Sequence, residues 1–461
     1  MRRINSLSKL STLILLGSQT FIAVPAFAAG FQINEISPGL QGAATAGSAA
    51  ASNDVSAMFI NPATLSTLIE NQAYLGASEI FPNVNMSQAS AIHTVNVPGE
   101  PPSNISATVL GQNWQNNVSK PAFVPDAYLS WRFNNRFVAG LAVVAPFGLT
   151  TNYSNNSVLR FIAQNSQVET INITPAISYA INDKWSLGLG FQAQFLQARF
   201  SNFNGPYTGI SVIDALIASN NPTYVNGSSW GYGFTLGALF KPDQFTRLGA
   251  GYRSQISEHI NGYGRQFTSP GGIEPAPSQD FLFNAGTSAS AGVKTPGVFN
   301  LSAARDINQF TLKASVQVNF WNTFNQLSIY LPDAFATNST LQSHWRNSWF
   351  GALGTDYRFN PVWTFRGGLA FDETPTVNGY RDPRIPDSNR VWLSLGASCK
   401  IAKNLSFDGA YTHIFFNNAT VNVTQASGSN ANTTVPLEVN QVQAKYKGSA
   451  DIVALAVRYS F

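Results

Sequence analysis

What most constrains this chain is its turns. Six short polar connections recur: Phe133-Asn134-Asn135-Arg136, Ile181-Asn182-Asp183-Lys184, Lys241-Pro242-Asp243-Gln244, Asp306-Ile307-Asn308-Gln309, Phe359-Asn360-Pro361 and Ile401-Ala402-Lys403-Asn404. Asn, Asp and Pro are the residues tight turns require. Each connection is flanked by segments that alternate apolar and polar side chains, the two-residue period of a strand. Trp185, Leu187, Leu189, Phe191 and Phe195 share one parity, against Ser186, Gly188, Gly190, Gln192 and Gln194. Phe310, Leu312, Ala314, Val316, Val318 and Phe320 oppose Thr311, Lys313, Ser315, Gln317 and Asn319. Between these hairpins lie long stretches rich in Asn, Ser, Gly and Pro, at 82–121, 201–229, 262–292 and 417–447.

Short turns on one side and long loops on the other are the pattern of a transmembrane barrel. Six turns join twelve strands. One strand near 72–81 and one at the C-terminus bring the count to fourteen, with both ends on the short-turn, periplasmic side. The final run, "DIVALAVRYSF", alternates to its last residue, with Leu455, Val457, Tyr459 and Phe461 on one face. Chain ends ordinarily fray and are polar. A terminal Phe461 makes sense in a periplasmic aromatic girdle, where it resembles the signal read by the outer-membrane assembly machinery.

Composition points the same way. Charged residues are 11% of the chain, against about a quarter in soluble proteins, and aromatics are 12%. Yet no segment beyond the N-terminal region reaches the roughly 18 consecutive apolar residues of a membrane helix. A lipid-embedded chain without such helices must close its sheet, because every backbone group in lipid needs a partner. A soluble barrel would turn its apolar face inward; here the simplest arrangement turns it to lipid around a polar lumen. The reading is an all-β membrane protein, a 14-stranded antiparallel transmembrane β-barrel over residues 71–461, in a Gram-negative cell outer membrane.

Residues 1–28 read as a secretory signal: Arg2, Arg3 and Lys9, then an apolar stretch, then Ala26-Phe27-Ala28. Loss of those three cations takes the formal charge from +4 to +1, which leaves no nucleic-acid footprint. The one cysteine, Cys399, allows no internal disulfide. Residues 29–70 do not alternate. They are rich in Gly, Ala and Ser but carry Phe31, Ile33, Ile36, Leu40, Met58, Phe59 and Leu65, more hydrophobes than a flexible linker needs. They are expected to form an N-terminal hatch, a plug inside the lumen.

Ala29-Gly30-Phe31-Gln32-Ile33-Asn34-Glu35, followed by Asn61-Pro62-Ala63, resembles the FadL family of outer-membrane hydrocarbon transporters. "APFGLTTNY" (145–153), "TPGVFNLSAA" (295–304) and "RIPDSNRVWLSLG" (384–396) are also similar to that family. The resemblance implies a plugged fourteen-stranded barrel, a monomer, that takes up long-chain fatty acids or other hydrophobic molecules. It implies lateral exit beside a kinked third strand, hatch gating at Asn61, Pro62 and Ala63, and a ligand against Phe31. In this chain the third strand meets Pro146, Phe147 and Gly148, residues that break a ladder or support a bulge; a plain strand end is the alternative.

Other candidate ligand residues come from spacing. Val212, Ile213, Leu216 and Ile217 have helical spacing, suited to an apolar collecting surface; in the family the third and fourth loops form such a groove. A fatty acid's carboxylate wants a cation in a dry pocket. Alternation places Arg253, Arg346 and Arg390 inward, and Arg160 lies where the second long loop enters the fourth strand. Asp126, Asp356, Asp372 and Asp408 also point inward, so each arginine has an ion-pairing role as its alternative. Two other function classes fit the sequence less well. His93, His259, His344 and His413 form no Ser/His/acid arrangement or metal-ligand spacing, so neither an enzyme nor a cofactor is expected. A general porin conflicts with a 42-residue plug. The choice between fatty acids and aromatic hydrocarbons stays open.

Overall fold

The computed structural model describes residues 30–96, 104–204, 221–266, 287–330, 338–429 and 436–461. The signal segment and Val212, Ile213, Leu216 and Ile217 lie outside them. The described strands make one antiparallel sheet closed on itself. They compose fourteen staves. The first is β1 (Gln72–Asn96); the second joins β2 (Asn104–Thr108) and β3 (Ala122–Arg132); the third joins β4 (Phe137–Val144) and β5 (Gly148–Asn152). Then come β6 (Asn165–Ala180), β7 (Trp185–Asn204) and β8 (Asn221–Phe240). The seventh to tenth staves are paired segments: β9 (Thr246–Arg253) with β10 (Ile256–Gln266), β11 (Thr287–Thr295) with β12 (Val298–Ile307), β13 (Phe310–Asn319) with β14 (Gln326–Tyr330), and β15 (Asn338–Gln342) with β16 (Ser348–Arg358). The last four are β17 (Trp363–Asp372), β18 (Arg390–Ala402), β19 (Leu405–Phe416) with β20 (Ala419–Ser429), and β21 (Pro436–Ser460). Closure is by β1 against β21, from Gln72 opposite Ser460 to Val95 opposite Glu438.

The six expected turns are where the sequence puts them. In four, one side chain does the same work: Asn134, Asn182, Asp243 and Asn360 each accept hydrogen bonds from the backbone N–H groups two and three residues on, at 2.8–2.9 Å. That Asx geometry satisfies amides the ladder cannot reach. In a fifth, Asn308 takes φ +54°, a conformation Asn tolerates better than most residues. Outside, Trp131, Tyr459 and Phe461 form an aromatic group at the periplasmic rim, and the terminal amide donates to Asn71 at 3.0 Å.

The long polar stretches are not simply loops, which corrects the sequence reading. β1 runs on through 82–96, β7 and β8 extend into 201–229, and β20 and β21 occupy much of 417–447. The reason is a change of solvent. In the lower half of β21, Val453, Leu455 and Tyr459 are exposed to the bilayer side. Above it the parity inverts: Val442, Ala444 and Tyr446 are buried while Gln441, Gln443, Lys445 and Lys447 face out. β1 does the same, with Leu75 and Phe81 outward but Val84, Met86 and Ala91 inward. Once a strand clears the lipid, its outer face meets water and its inner face becomes core. His93, expected in a loop, accordingly lies within β1, buried.

Residues 30–68 are almost entirely buried inside this cylinder. They form one helical turn, α1 (Pro38–Gln41), capped by Ser37, and short 3-10 segments at Ser48–Ala50, Val55–Phe59 and Pro62–Thr67. Asp54 and Asn61 cap the last two through their side chains. The wall makes room with inward glycines: a Cβ on Gly188, Gly237, Gly249 or Gly251 would overlap Ala63, Asn61, Ala49 or Ile60 respectively.

Candidate functional site

The third stave leaves the ladder at Ala145-Pro146-Phe147. β4 pairs with β6 as far as Val144 opposite Asn172, and β5 resumes with Gly148 opposite Glu169, one residue out of step. This is a β-bulge where proline has no N–H to give. The Thr170 hydroxyl repairs it by accepting from the Phe147 N–H at 2.9 Å and donating to the Phe147 carbonyl at 2.8 Å. On the other side the wall opens. β3 pairs with β4 up to Ala127 opposite Val143, and pairing resumes only at Ser119 opposite Thr151. Between those rungs no pairing joins the second and third staves among the described residues.

The start of the lumenal segment docks on that bulge. The Ile33 N–H donates to the Pro146 carbonyl and the Gly148 N–H to the Phe31 carbonyl, each at 2.8 Å, so Gln32 and Phe147 face each other as a short antiparallel rung. The rung sets Phe31 among four rings: Trp321 at 4.7 Å between centroids, Phe324 at 5.7 Å, Phe147 at 5.8 Å and Trp345 at 5.8 Å. Edge-to-face pairs of this kind are worth about 0.5–1.5 kcal/mol beyond their buried area. Gly30, at φ +66°, must be glycine, since a Cβ would strike Trp345. Its N–H donates to the Asp387 carboxylate at 2.9 Å. Asp387 comes from the segment between β17 and β18, which folds inward, and also takes hydrogen bonds from Thr374 and Arg390.

The box belongs to a continuous apolar cluster that reaches upward through Leu196, Ala198, Ile260 and Leu327. At its upper end lies an almost wholly apolar crevice between β7, β8, β10, β11 and β14, lined by residues such as Phe200, Val225 and Ile329. A second cluster runs from Ile33 through Ile80, Ala122 and Val124, with Ala145 against it, to the edge of the opened rungs. Phe147, buried, is the residue common to bulge and box.

The candidate cations separate. Arg346 is exposed and paired with Glu373 at 2.8 Å, which corrects its inward assignment: residues 343–347 leave the strand before β16 begins, so parity does not carry back to it. Arg390 is inward and buried but already serves Asp387 at 3.0 Å and Asp372 at 3.7 Å. Arg160 donates to the carbonyls of Leu110 and Ser157 and lies over Phe161, and partial burial lowers its pKa. Arg253 lies inside, over the ring of Phe59 at 4.2 Å. Asn61 donates to the carbonyls of Ala49 (2.6 Å) and Ala238 (2.9 Å), binding the lumenal segment to itself and to the wall. At the periplasmic end, Asp54 joins an ion network through Arg458, Asp408, Arg366, Asp356 and Lys313.

Sequence reasoning missed Trp321, Phe324, Trp345 and Asp387. They sit in connections between strands, where no periodicity marks them. The inward glycines gave a signal that was legible only as small residues on the lumen parity.

Comparison with known proteins bears on this geometry. The profile of the outer membrane protein transport protein family (OMPP1/FadL/TodX) matches residues 19–461. The chain belongs to that family. It is 27% identical over 429 residues to the long-chain fatty acid transport protein of Escherichia coli K12, covering 87% of this chain and 91% of that one. It is 26% identical to outer membrane protein P1 of Haemophilus influenzae across 99% of this chain and all of the other. The crystal structure of a Pseudomonas aeruginosa FadL homologue superposes with a TM-score of 0.78 at 25% identity, over 94% of this chain and all of that one. The Ralstonia pickettii toluene transporter TbuX shares the fold, with a TM-score of 0.61 at 17% identity over 93% of this chain and all of that one. The protein is thus an outer-membrane transporter of hydrophobic molecules in the FadL class, not an enzyme.

Proposed function

We propose that this barrel takes up long-chain fatty acids by passive diffusion and releases them sideways into the bilayer, with the lumenal segment as the hatch. The ligand is captured at the apolar crevice, lodges among the rings around Phe31, and leaves past Ile33, Val124 and Ala145 through the opened rungs beside the third stave. The observation that carries this reading is the backbone rung between residues 31–33 and 146–148. One short pairing ties the hatch, the aromatic box and the bulge together, so a shift in one disturbs all three.

Energetics favour such a gate. At about 0.8 kcal/mol per methylene, burying a sixteen-carbon chain gains on the order of 10 kcal/mol. Capture needs no energy source, but release requires that the pocket be spoiled. A second reading, uptake of aromatic hydrocarbons, draws support from the box itself, whose five side chains are all aromatic.

The test is binding of a radiolabelled sixteen-carbon fatty acid to the purified barrel, competed with its methyl ester and with toluene. Wild type is expected to bind the acid, and Phe31→Ala to weaken it at least about tenfold, the equivalent of one buried aromatic side chain. Binding unchanged in Phe31→Ala removes the box from the path. Equal competition by toluene favours the hydrocarbon reading.

A further inference from the structure

On the outer wall, the closing seam between β21 and β1 carries the boundary between lipid and headgroup. Up β21 the outward residues run Leu455, Val453, Asp451, Ser449, Lys447 and Lys445. Register sets Phe81 of β1 beside Asp451, Asn83 of β1 and Phe415 of β19 beside Ser449, and Asn85 of β1 beside Lys447. Phe81 and Phe415 are exposed on the lipid side. Lys447 thus stands one outward row above the aromatic Phe415, and Lys445 one row higher; both are exposed. On the second stave Lys120 is exposed too, next to the Ser119–Thr151 rung that bounds the wall opening from above. Among the described residues none of these three lysines has a carboxylate in ion-pair reach, whereas Lys313 has Asp356 at 2.6 Å. Asp451, two rows below Lys447, already holds the Tyr411 hydroxyl at 2.6 Å and His413 Nδ1 at 2.7 Å. Between the lysines lie Asn83, Asn85 and Asn117, uncharged and joined by hydrogen bonds of 3.0 and 3.1 Å. Three cations without an anion therefore surround a neutral polar floor at the edge of the hydrocarbon.

We propose that this patch is a docking site for the phosphorylated headgroup of a membrane lipid, held from outside the barrel by Lys120, Lys445 and Lys447. Position decides the occupant. The row beneath the lysines is aromatic and faces hydrocarbon, so whatever meets them there is anchored in the bilayer. Charge decides the chemistry: ammonium groups with no carboxylate to share recognise phosphate, and each carries three donors. Spacing argues for a headgroup over a free ion. Lys445 and Lys447 are about 7 Å apart along their strand, and two strand spacings, about 10 Å, separate them from the stave of Lys120, wider than one phosphate. The asparagines supply neutral hydrogen bonds to the sugar or glycerol oxygens of such a headgroup. Lys120 places the bound lipid against the upper corner of the wall opening, as a fixed neighbour of that gap. The proposal concerns the outer wall and does not depend on what the lumen carries.

The experiment measures binding of lipid A with its phosphates, and of the same lipid dephosphorylated, to the purified barrel in a neutral detergent. Variants are Lys445→Gln/Lys447→Gln, Lys120→Gln, Lys445→Arg/Lys447→Arg, and Lys294→Gln as a control, an exposed lysine on β11 away from the seam. Folding of each is checked by heat-modifiable gel mobility. Wild type is expected to prefer the phosphorylated lipid. At about fivefold per lysine, Lys120→Gln should weaken its binding about fivefold and Lys445→Gln/Lys447→Gln about 25-fold. The arginine pair should keep the preference and Lys294→Gln should leave it unchanged. Equal affinity of wild type for the two lipids overturns the proposal. So does a loss in Lys294→Gln as large as in the Lys445/Lys447 pair, which would mean that only overall charge is read. Displacement of the lipid by an equal concentration of inorganic phosphate overturns it as well, since the patch would then be reading the free ion.

Discussion

Glu35, in the lumenal segment, carries a charge that its surroundings accommodate poorly. It is 2% exposed and its Oε2 has no hydrogen-bond partner. Burial pushes its pKa up to about 7; backbone hydrogen bonding and the Arg390 guanidinium act against the rise, and Asp372 adds to it. The sign of the linkage follows. Docked, Glu35 holds its proton to about pH 7; released into water it loses it near 4.5. Docking is therefore unpenalised below the released value, and a cost builds as pH rises between the two, complete above 7 at on the order of 3 kcal/mol. Protease cleavage within residues 30–68 should be faster at pH 8 than at pH 5, and Glu35→Gln should flatten that dependence. A wild-type rate that does not vary would contradict it. At this scale the sequence was a partial guide. Phe31 and Arg253 lie on regular or near-regular backbone and were legible from parity and motif. Arg346 was not, because five irregular residues reset its direction. The acid partners that occupy Arg390 are near it in the chain, Asp387 three residues before it and Asp372 at the end of the preceding strand, but the segment between those strands is irregular and parity does not show that it folds back on the arginine.

Among the elements, the staves were legible where one face meets lipid and the other does not, and illegible where that contrast reverses. In β21 the apolar parity is odd at Leu455 and even at Tyr446. A window across the reversal sees no period, so the upper strands read as polar loops. The bulge was foreshadowed by Pro146 and Gly148, but its pairing with residue 32 is a long-range contact with no local trace. The inward glycines give this scale its own prediction. A side chain at Gly249 would drive into the Ala49 backbone, which cannot rotate away. Gly249→Val keeps the outward face intact, so the barrel should still form while the hatch is displaced. Ion conductance in planar bilayers should then rise well above wild type; wild-type conductance would mean that the wall tolerates the added bulk.

Taken whole, the molecule is a cylinder that is greasy outside and polar inside through the bilayer, then the reverse above it, with a folded segment filling the bore. Strand number, closure and the placing of both barrel ends on the short-turn side were readable because lipid imposes one rule on every stave. The interior was not, because packing of a small-residue segment against glycines leaves no periodic signature. The central claim is that the rung between the hatch and the third stave must open for passage. The hydrogen bonds on either side make Gln32 and Phe147 a non-hydrogen-bonded pair, whose Cα atoms lie about 4.5 Å apart, within the reach of a disulfide. The decisive measurement is uptake of a radiolabelled long-chain fatty acid through Gln32→Cys/Phe147→Cys in a Cys399→Ser background, oxidised and then reduced, so that each sample is its own reference. The account predicts background uptake when oxidised and recovery on reduction; equal uptake in both states would contradict it.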